Sequence, residues 1–318
     1  MIRFVGGRLA SAFVLALGVA SVTFGLLWFA PGDSRASLLL SGFADNIAAG
    51  PTPGAVESYL NWLGRVFRAD LGVSESSGRA VVDVLGAALP HTLALSAAGL
   101  VLAALLGVSA GVVQASRAGS TLDRFLGFVS VVLYSAPSFW IGIVLAELFV
   151  GVPGRFGARW LPLSGVAPPG GAAHSGQYLP YLVLPALTLA LVLGAGIARF
   201  TRASMLEILD QDYIRAARAR GLSERTVLIR HGLRSASLPL VSLLGVYLPM
   251  LLTGAVFVEV VFERAGIGRE MLLAITRQDI PVVAGGALLF GLVAVLANLL
   301  ADLLYGWADP RLRDAAHG

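Results

Sequence analysis

The side chains that carry covalent or metal chemistry in proteins are scarce in this 318-residue sequence. It contains no cysteine, and all 23 basic residues are arginine, since no lysine occurs. The absence of cysteine excludes disulfides, thiolate metal sites and cysteine nucleophiles. The absence of lysine excludes a Walker A nucleotide site and a Schiff-base enzyme, because both depend on that amine. If ATP powers this protein, another polypeptide must bind the nucleotide.

The histidines give no catalytic or metal-binding pattern. His91, His174, His231 and His317 are spread along the chain, with no HxxxH or His–Glu spacing. No Ser-His-Asp arrangement or nucleophile elbow is recognisable. We therefore predict no catalytic residue, no metal site and no cofactor on this chain.

A basic segment at residues 210–240 departs most from the rest of the sequence. It carries six arginines, whereas charged residues make up only 13% of the chain. We expect Asp212 to be the N-cap of a short helix over residues 213–220, which Gly221 ends in a left-handed conformation. This pattern predicts a compact helix with basic side chains.

Two further residues predict how this segment continues. Ser223 is expected to cap a second helix that reaches residue 233, and Pro239 to fit the first turn of the next apolar helix. The first helix is rich in alanine, so its backbone can approach another protein closely. A solvated basic loop and an amphipathic helix on anionic lipid are the alternatives. Ile214 and Leu222 are nearly all the large apolar side chains in residues 212–222, which favours protein docking.

The elements that position this segment are apolar runs long enough to cross a membrane. Hydrophobic residues make up 57% of the chain, and its mean hydropathy is +0.81. A span needs about 20 apolar residues as a helix. The sequence predicts six spans, at residues 9–30, 92–114, 125–147, 179–198, 237–258 and 280–303. The fold class is thus an all-α membrane protein with one transmembrane domain over residues 1–318.

The distribution of arginine predicts the orientation of these spans. With the N-terminus inside, the cytoplasmic pieces hold 14 of the 23 arginines in the smaller share of the loop residues. Such a bias marks the cytoplasmic side. Both termini and a loop at residues 199–236 are then cytoplasmic, and residues 31–91 form an outer loop. The high pI of about 9.8 therefore indicates retained cytoplasmic arginine rather than nucleic-acid binding.

Motifs along the whole chain resemble one family of transporters. Residues 212–222, "DYIRAARARGL", followed by His231 and "LP" at 238–239, are similar to the EAA loop of binding-protein-dependent ABC importer permeases. The form is that of the dipeptide/oligopeptide/nickel permeases. Other matching motifs, in order, are "APGD", "RADLGVS", "LPHTLALS", "YSAPSFWIGI", "LPLSG", "LPALTLAL", "VEVVFERAGIG", "RQDIPVVAG" and "DPR".

The resemblance implies a type I ABC importer permease fold and a mechanical role for the basic segment. In that family the EAA loop docks on a cytoplasmic ATPase subunit, whose closure on ATP drives alternating access. The residues implied in ATPase coupling are Asp212, Tyr213, Arg215, Ala216, Ala217, Ala219, Gly221, Leu222, His231, Leu238 and Pro239. Among them Ala216, Ala217 and Gly221 would form the docking core.

The resemblance also assigns residues to the outer side and names the partners. Glu259, Phe262, Gly266 and Gly268 are implied at the outer mouth, in contact with a substrate-binding protein. The implied partners are that binding protein, a second homologous permease subunit, one or two ATPase subunits that carry ATP and Mg²⁺, and the lipid bilayer. The implied location is the bacterial cytoplasmic membrane.

The sequence departs from the family pattern in two places. Arg215 stands where the broader ABC motif begins with Glu, which alters partner contacts. Residues 33–60 match the family poorly, which leaves the contacts of the first outer loop open.

The predicted function is that of a non-enzymatic permease subunit of an ATP-driven importer, with peptides as the expected cargo. A nickel chelate, haem or another small solute remains an alternative on the same architecture. An intramembrane enzyme would need paired catalytic groups, which the sequence lacks. An ion-driven secondary transporter is the third class, and it is disfavoured because the predicted spans carry almost no charge.

Overall fold

A computed structural model describes residues 2–29, 54–150, 161–167 and 178–308. Within these ranges the elements are helices, apart from one isolated antiparallel bridge between Val73 and Ala80. The helices are α1 (Ile2–Phe29), α2 (Ala55–Phe67), α3 (Val81–Ser116), α4 (Thr121–Ser135), α5 (Ser138–Val150), α6 (Leu179–Leu209), α7 (Asp212–Ala219), α8 (Arg234–Val261), α9 (Ile267–Thr276) and α10 (Ile280–Ala308). A helical turn, Glu224–Thr226, and a π-helix, Val227–Leu233, join α7 to α8.

Four helices in the described part of the chain are long and apolar enough to cross a membrane: α1, α3, α6 and α10. A fifth candidate is the pair α4 and α5, if the two count as one span. Helix α8 covers the fifth predicted span, residues 237–258. The count of six spans and the orientation stay predictions.

The third predicted span, residues 125–147, is not one straight helix. Helices α4 and α5 meet at a bend of 111° around Ala136 and Pro137. Ala136 is extended, with φ −80° and ψ 138°. A residue before proline is disfavoured in the α conformation because the proline ring clashes with its backbone. The apolar pattern of these residues therefore did not show the break.

Two helices extend well beyond the predicted spans. Helix α3 begins at Val81, before the predicted start at residue 92, and α6 ends at Leu209, beyond the predicted end at residue 198. Helix α2 lies within the predicted outer loop, residues 31–91. A helix continues past the membrane core when its residues still favour helix, so hydropathy locates the apolar part and not the helix ends.

Helices α3 and α6 pack closely through small residues. A Cβ added to Gly107 would lie 2.6 Å from the carbonyl oxygen of Gly194, and one added to Gly111 would lie 2.6 Å from that of Ala198. At Gly99 it would lie 3.0 Å from Leu189 Cβ. These glycines therefore serve helix packing, because they let two backbones approach.

Candidate functional site

The start of α7 differs from the prediction by one residue. Gln211 is the N-cap, with φ −71° and ψ 149°, and it makes no side-chain capping bond. Asp212 is the first helical residue, and its carboxylate lies 3.0 Å from the Arg215 guanidinium. An acidic residue in the first turn is favourable because the helix N-terminus carries partial positive charge. The N-cap prediction for Asp212 is thus wrong, although the residue still serves the helix start.

The end of α7 agrees with the prediction. Gly221 has φ +80°, and its N–H donates to the carbonyl of Arg218 at 2.9 Å. A Cβ added there would meet nothing within 4 Å. Glycine is required here by the left-handed backbone and not by lack of space.

One face of α7 is fixed to the chain itself. Ile214 is fully buried, Ala217 is 6% exposed, and both pack with Val227 against Ile208 and Leu209. Ala217 was predicted to belong to the docking core, but its side chain faces its own chain. Helical periodicity accounts for this, because positions 214 and 217 lie on one face.

The other face of α7 is open. The exposed residues predicted for ATPase coupling are Asp212, Tyr213, Arg215, Ala216, Ala219, Gly221 and Leu222. Arg218 and Arg220 are also exposed. The result is a surface of small side chains surrounded by guanidinium groups, held on the end of α6.

An ion pair missed by the sequence analysis crosses the turn at Gly221. Arg218 donates to Glu224 through Nη2 to Oε1 at 2.8 Å and through Nε to Oε2 at 3.2 Å. This hydrogen bonding holds the pKa of Glu224 below its usual value. The six-residue spacing does not match the i,i+4 pairs of a helix, so the pair becomes visible only once the turn is known.

After the turn at Gly221, the chain is continuously helical from Glu224 into α8. Ser223 occupies the N-cap position of the Glu224–Thr226 turn, but its hydroxyl pairs with Thr226 instead of capping a helix through residue 233. Val227–Leu233 is π-helical, and His231 within it is half-buried. The Tyr213 hydroxyl lies 3.1 Å from that of Ser235 in α8.

Leu238 and Pro239, the last two residues predicted for coupling, lie inside α8. Pro239 is the sixth residue of that helix and not in its first turn, as predicted. The helix begins earlier than expected because the π-helix continues directly into it. π-helical turns are rare, but when they occur they are frequently found at functional sites.

The second predicted group, at the outer mouth, is buried. Glu259 is fully buried, Phe262 is 1% exposed, and Gly266 and Gly268 are also buried. None of the four residues is exposed on the surface of this chain. The exposed residue of this segment is Glu263. Contact between the segment and a binding protein stays a prediction.

Glu259 has a structural task instead. Its carboxylate accepts from Thr92 Oγ1 at 2.6 Å, from Gly268 N at 2.8 Å and from Arg269 N at 3.3 Å. The Thr92 hydroxyl in turn accepts from Ile267 N at 2.9 Å. Glu259 therefore ties the end of α8 to the start of α9 and to α3, and it satisfies amides that open helix α9.

The two glycines beside Glu259 are required by close approach. A Cβ on Gly266 would collide with the Glu259 carboxylate, and one on Gly268 would lie 2.6 Å from Val256 Cα. Arg264 is also buried here; its Nε donates to the carbonyl of His91 at 3.4 Å. Burial lowers the pKa of Arg264, and the charge of Glu259 opposes that shift.

A carboxylate to which the sequence analysis gave no role anchors part of the outer loop. Asp279, which precedes α10, accepts from the hydroxyls of Ser74 and Ser76 at 2.6 and 2.7 Å. It also accepts from the backbone of Ser76 at 3.1 Å and Glu75 at 3.3 Å. Ser74 lies within the motif at residues 68–74 and Asp279 within the motif at 277–285, but a single sequence does not reveal a pairing across 205 residues.

An ion pair links the short turn after α3 to the end of α6. Asp123, in the first turn of α4, accepts from Arg202 Nε at 2.7 Å and from Arg202 Nη2 at 2.8 Å. Its Oδ2 also accepts from Gly119 N at 2.9 Å. The helix that supports α7 is thus fixed to its neighbour about two turns before its own end at Leu209.

Among the described residues, no group of three or more His, Cys, Asp or Glu side chains is placed to hold a metal ion.

Comparison with known proteins gives the family. The model for the binding-protein-dependent transport system inner membrane component matches residues 103–314. The chain belongs to this family. It is a multi-pass protein of the bacterial inner membrane, and the family prediction is confirmed.

Curated relatives match almost the full length of the chain. The di/tripeptide transport system permease protein DppB of Pseudomonas aeruginosa is 35% identical over 98% of this chain and 99% of its own. The dipeptide permease protein DppB of Escherichia coli K12 is 34% identical over the same shares. The oligopeptide permease protein AppB of Bacillus subtilis is 32% identical, again over 98% and 99%.

Proposed function

We propose that this chain is the permease subunit of an ATP-driven importer of di- and oligopeptides. It couples closure of separate ATPase subunits to alternating access through α7. The observation that carries the proposal is the two-sided character of α7. Ile214 and Ala217 fasten one side to α6, while Ala216 and Ala219 expose a small-residue surface among arginines.

This geometry would allow α7 to transmit a movement of another protein to α6. A helix that only lay against lipid would expose large apolar side chains. On α7 the aliphatic side chain of Ile214 is buried, and the exposed face carries alanine and guanidinium groups together with Tyr213, whose hydroxyl contacts Ser235. Close approach at alanine and charge-assisted hydrogen bonds from arginine suit an acidic groove on another protein. Because α6 continues directly into this region, displacement of α7 would move a helix that packs against α3.

The proposed topology has six spans with both termini in the cytoplasm. It is supported by an ion pair of 2.8 Å between Arg8, near the start of α1, and Asp302, near the end of α10. The pair brings the first and last described helices together at their chain-terminal ends. Chain ends on one side of a membrane require an even number of spans.

The proposed assembly contains a second homologous permease subunit, ATPase subunits that bind ATP and Mg²⁺, and a substrate-binding protein. The chain itself hydrolyses nothing in this proposal. Relatives named as di-, tri- and oligopeptide permeases support peptide as the cargo. A nickel chelate, haem or another small solute would be imported by the same mechanics.

The coupling surface is tested by adding bulk on the exposed face only. In the complete complex reconstituted in proteoliposomes, Ala216→Trp and Ala219→Trp should abolish peptide uptake and substrate-stimulated ATPase activity. The reason is that indole cannot fit where two backbones approach. Ala118→Trp, at an exposed alanine in the α3–α4 turn, is the matched control. Full uptake by both α7 variants would refute the coupling role.

The energy source and the cargo are tested in the same vesicles. Uptake of a labelled tripeptide should require ATP inside the compartment that holds the ATPases, stop with vanadate and continue with a protonophore. The opposite pattern would indicate an ion-driven transporter. ATP-dependent uptake of a labelled nickel chelate or haem, with no ATP-dependent uptake of the tripeptide, would reject peptide as the cargo.

A further inference from the structure

Helix α2 presents two different apolar surfaces. The first packs inward, where Trp62 and Tyr59 contact Phe24 of α1, with ring centroids 5.7 and 5.3 Å apart. Leu288 of α10 completes this cluster. Helix α2 is therefore fixed to two candidate spans by aromatic packing.

The second apolar surface of α2 is open. Val56, Leu60 and Phe67 are 74%, 60% and 66% exposed. Their spacing of four and seven residues places them on one line along the helix. Glu57 and Asn61, both exposed, lie on a different side. The helix is amphipathic, and only part of its apolar surface is covered by this chain.

The depth at which α2 meets α1 indicates what covers the rest. The Ser21 hydroxyl donates to the Leu17 carbonyl, so the Tyr59 hydroxyl donates to Ser21, at 2.8 Å. Ser21 lies eight residues before the end of α1 at Phe29, about 12 Å along the helix. The contact thus falls within the candidate span Val5–Phe29 and not beyond its end.

The neighbouring surface of α1 has the same character. Val22, Leu26 and Phe29 are exposed and follow one another at spacings of four and three residues. In a protein of the inner membrane, such a line on a spanning helix faces hydrocarbon. The exposed apolar residues of α2 lie at the same depth and should therefore also contact hydrocarbon.

We propose that α2 is an interfacial helix that lies in the leaflet at the C-terminal end of α1, with Val56, Leu60 and Phe67 buried among acyl chains at the headgroup boundary. Helices of this kind bury their apolar face about 5–10 Å into that boundary. Trp62 and Tyr59 suit the same zone, where aromatic residues with a polar group are enriched. Exposed Arg68, directly after the helix, is placed to reach lipid phosphates.

The chain offers a clean test because it contains no cysteine. Leu60→Cys and Val56→Cys each introduce one labelling site for the environment-sensitive fluorophore NBD on an exposed position. Asn61→Cys is the matched control, one residue away on the polar side. Each labelled permease is assembled with its partner subunits in nanodiscs. Quenching is then measured with nitroxide on the acyl chain, with nitroxide on the headgroup and with iodide in water.

If α2 lies in the lipid, probes at neighbouring residues should be quenched by different agents. Probes at positions 56 and 60 should be quenched several-fold more by acyl-chain nitroxide than the probe at 61, and should be shielded from iodide. The probe at 61 should be reached by iodide. Equal access of iodide to positions 60 and 61 would overturn the proposal. So would shielding of position 60 from both nitroxide and iodide, since that result indicates a protein cover.

Discussion

The α7 segment and the α8–α9 corner are built from similar residues but use them in opposite ways. Both combine glycine, arginine and an acidic side chain in a short stretch. In α7 the charged groups are exposed, and only Ile214 and Ala217 are buried. At the α8–α9 corner the carboxylate of Glu259 and the guanidinium of Arg264 are buried, and two glycines allow the backbones to meet.

This difference teaches what each region contributes. An ion pair between exposed side chains contributes little free energy. The charged residues of α7 therefore remain available to bind another molecule. A buried charge is stable only with its full set of hydrogen bonds, so Glu259 is committed to its own chain. The corner is therefore expected to control stability, and α7 to control coupling.

The largest effect is expected from Glu259→Ala. Removing this carboxylate leaves the amides of Gly268 and Arg269 and the hydroxyl of Thr92 without their acceptor, and it leaves Arg264 without compensating charge. Each buried donor left without its acceptor in this way costs about 1–3 kcal/mol. The purified variant should show a lower Tm and a lower yield of folded protein.

The matched control is Glu263→Gln, at the exposed residue of the same segment. It should leave the Tm unchanged while testing surface contact with a binding protein. If Glu259→Ala folded normally and instead lost only binding-protein contact, the corner would be a surface site and the comparison would fail.

The sequence predicted the helical class and the family because both depend on properties repeated along the chain. Apolar runs of about 20 residues mark spans whatever their neighbours are. The ordered motifs need no knowledge of contacts. The left-handed turn at Gly221 was also predictable, since a glycine after a helix-forming run is a local signal.

The sequence did not show which of the predicted side chains are buried, because burial is decided by tertiary contact. Ala216 and Ala217 are identical in type, and only the position of Ile208 and Leu209 decides which of them faces outward. The family resemblance implied that Glu259 is at the outer mouth, and its burial was not visible in the sequence because its partner Thr92 lies 167 residues earlier in the chain. No local pattern reports such a pairing.

A smaller effect is expected from Gly221→Ala, which tests the exposed region. At φ +80° the added Cβ meets no neighbour, so the cost is conformational, about 1–2 kcal/mol. The α7 segment should become more susceptible to limited proteolysis, with little change in the Tm of the whole chain.

Gly221→Asn is the comparison for that variant, because asparagine adopts the left-handed conformation more readily than alanine. The susceptibility of the Gly221→Asn variant to limited proteolysis should lie between that of the wild type and that of Gly221→Ala. Equal proteolysis of all three proteins would show that the backbone at residue 221 does not define the segment.

The smallest effect is expected from Glu224→Gln, which removes the ion pair with Arg218. Both side chains are largely exposed, so the pair is worth about 0.2–1 kcal/mol. Since Arg218 lowers the pKa of Glu224 in the folded protein, this contribution is present at neutral pH and is lost as the pH falls through the folded-state pKa. Hydrogen exchange in α7 should rise slightly at pH 7, and the difference from the wild type should disappear in acid.

The control is Glu207→Gln, at an exposed acidic residue of α6. It should change neither the hydrogen exchange of α7 at pH 7 nor the pH dependence of that exchange. An effect of Glu224→Gln on α7 exchange as large as that of Gly221→Ala would mean that surface charge, and not the buried contacts of Ile214 and Ala217, fastens this segment to the membrane helices.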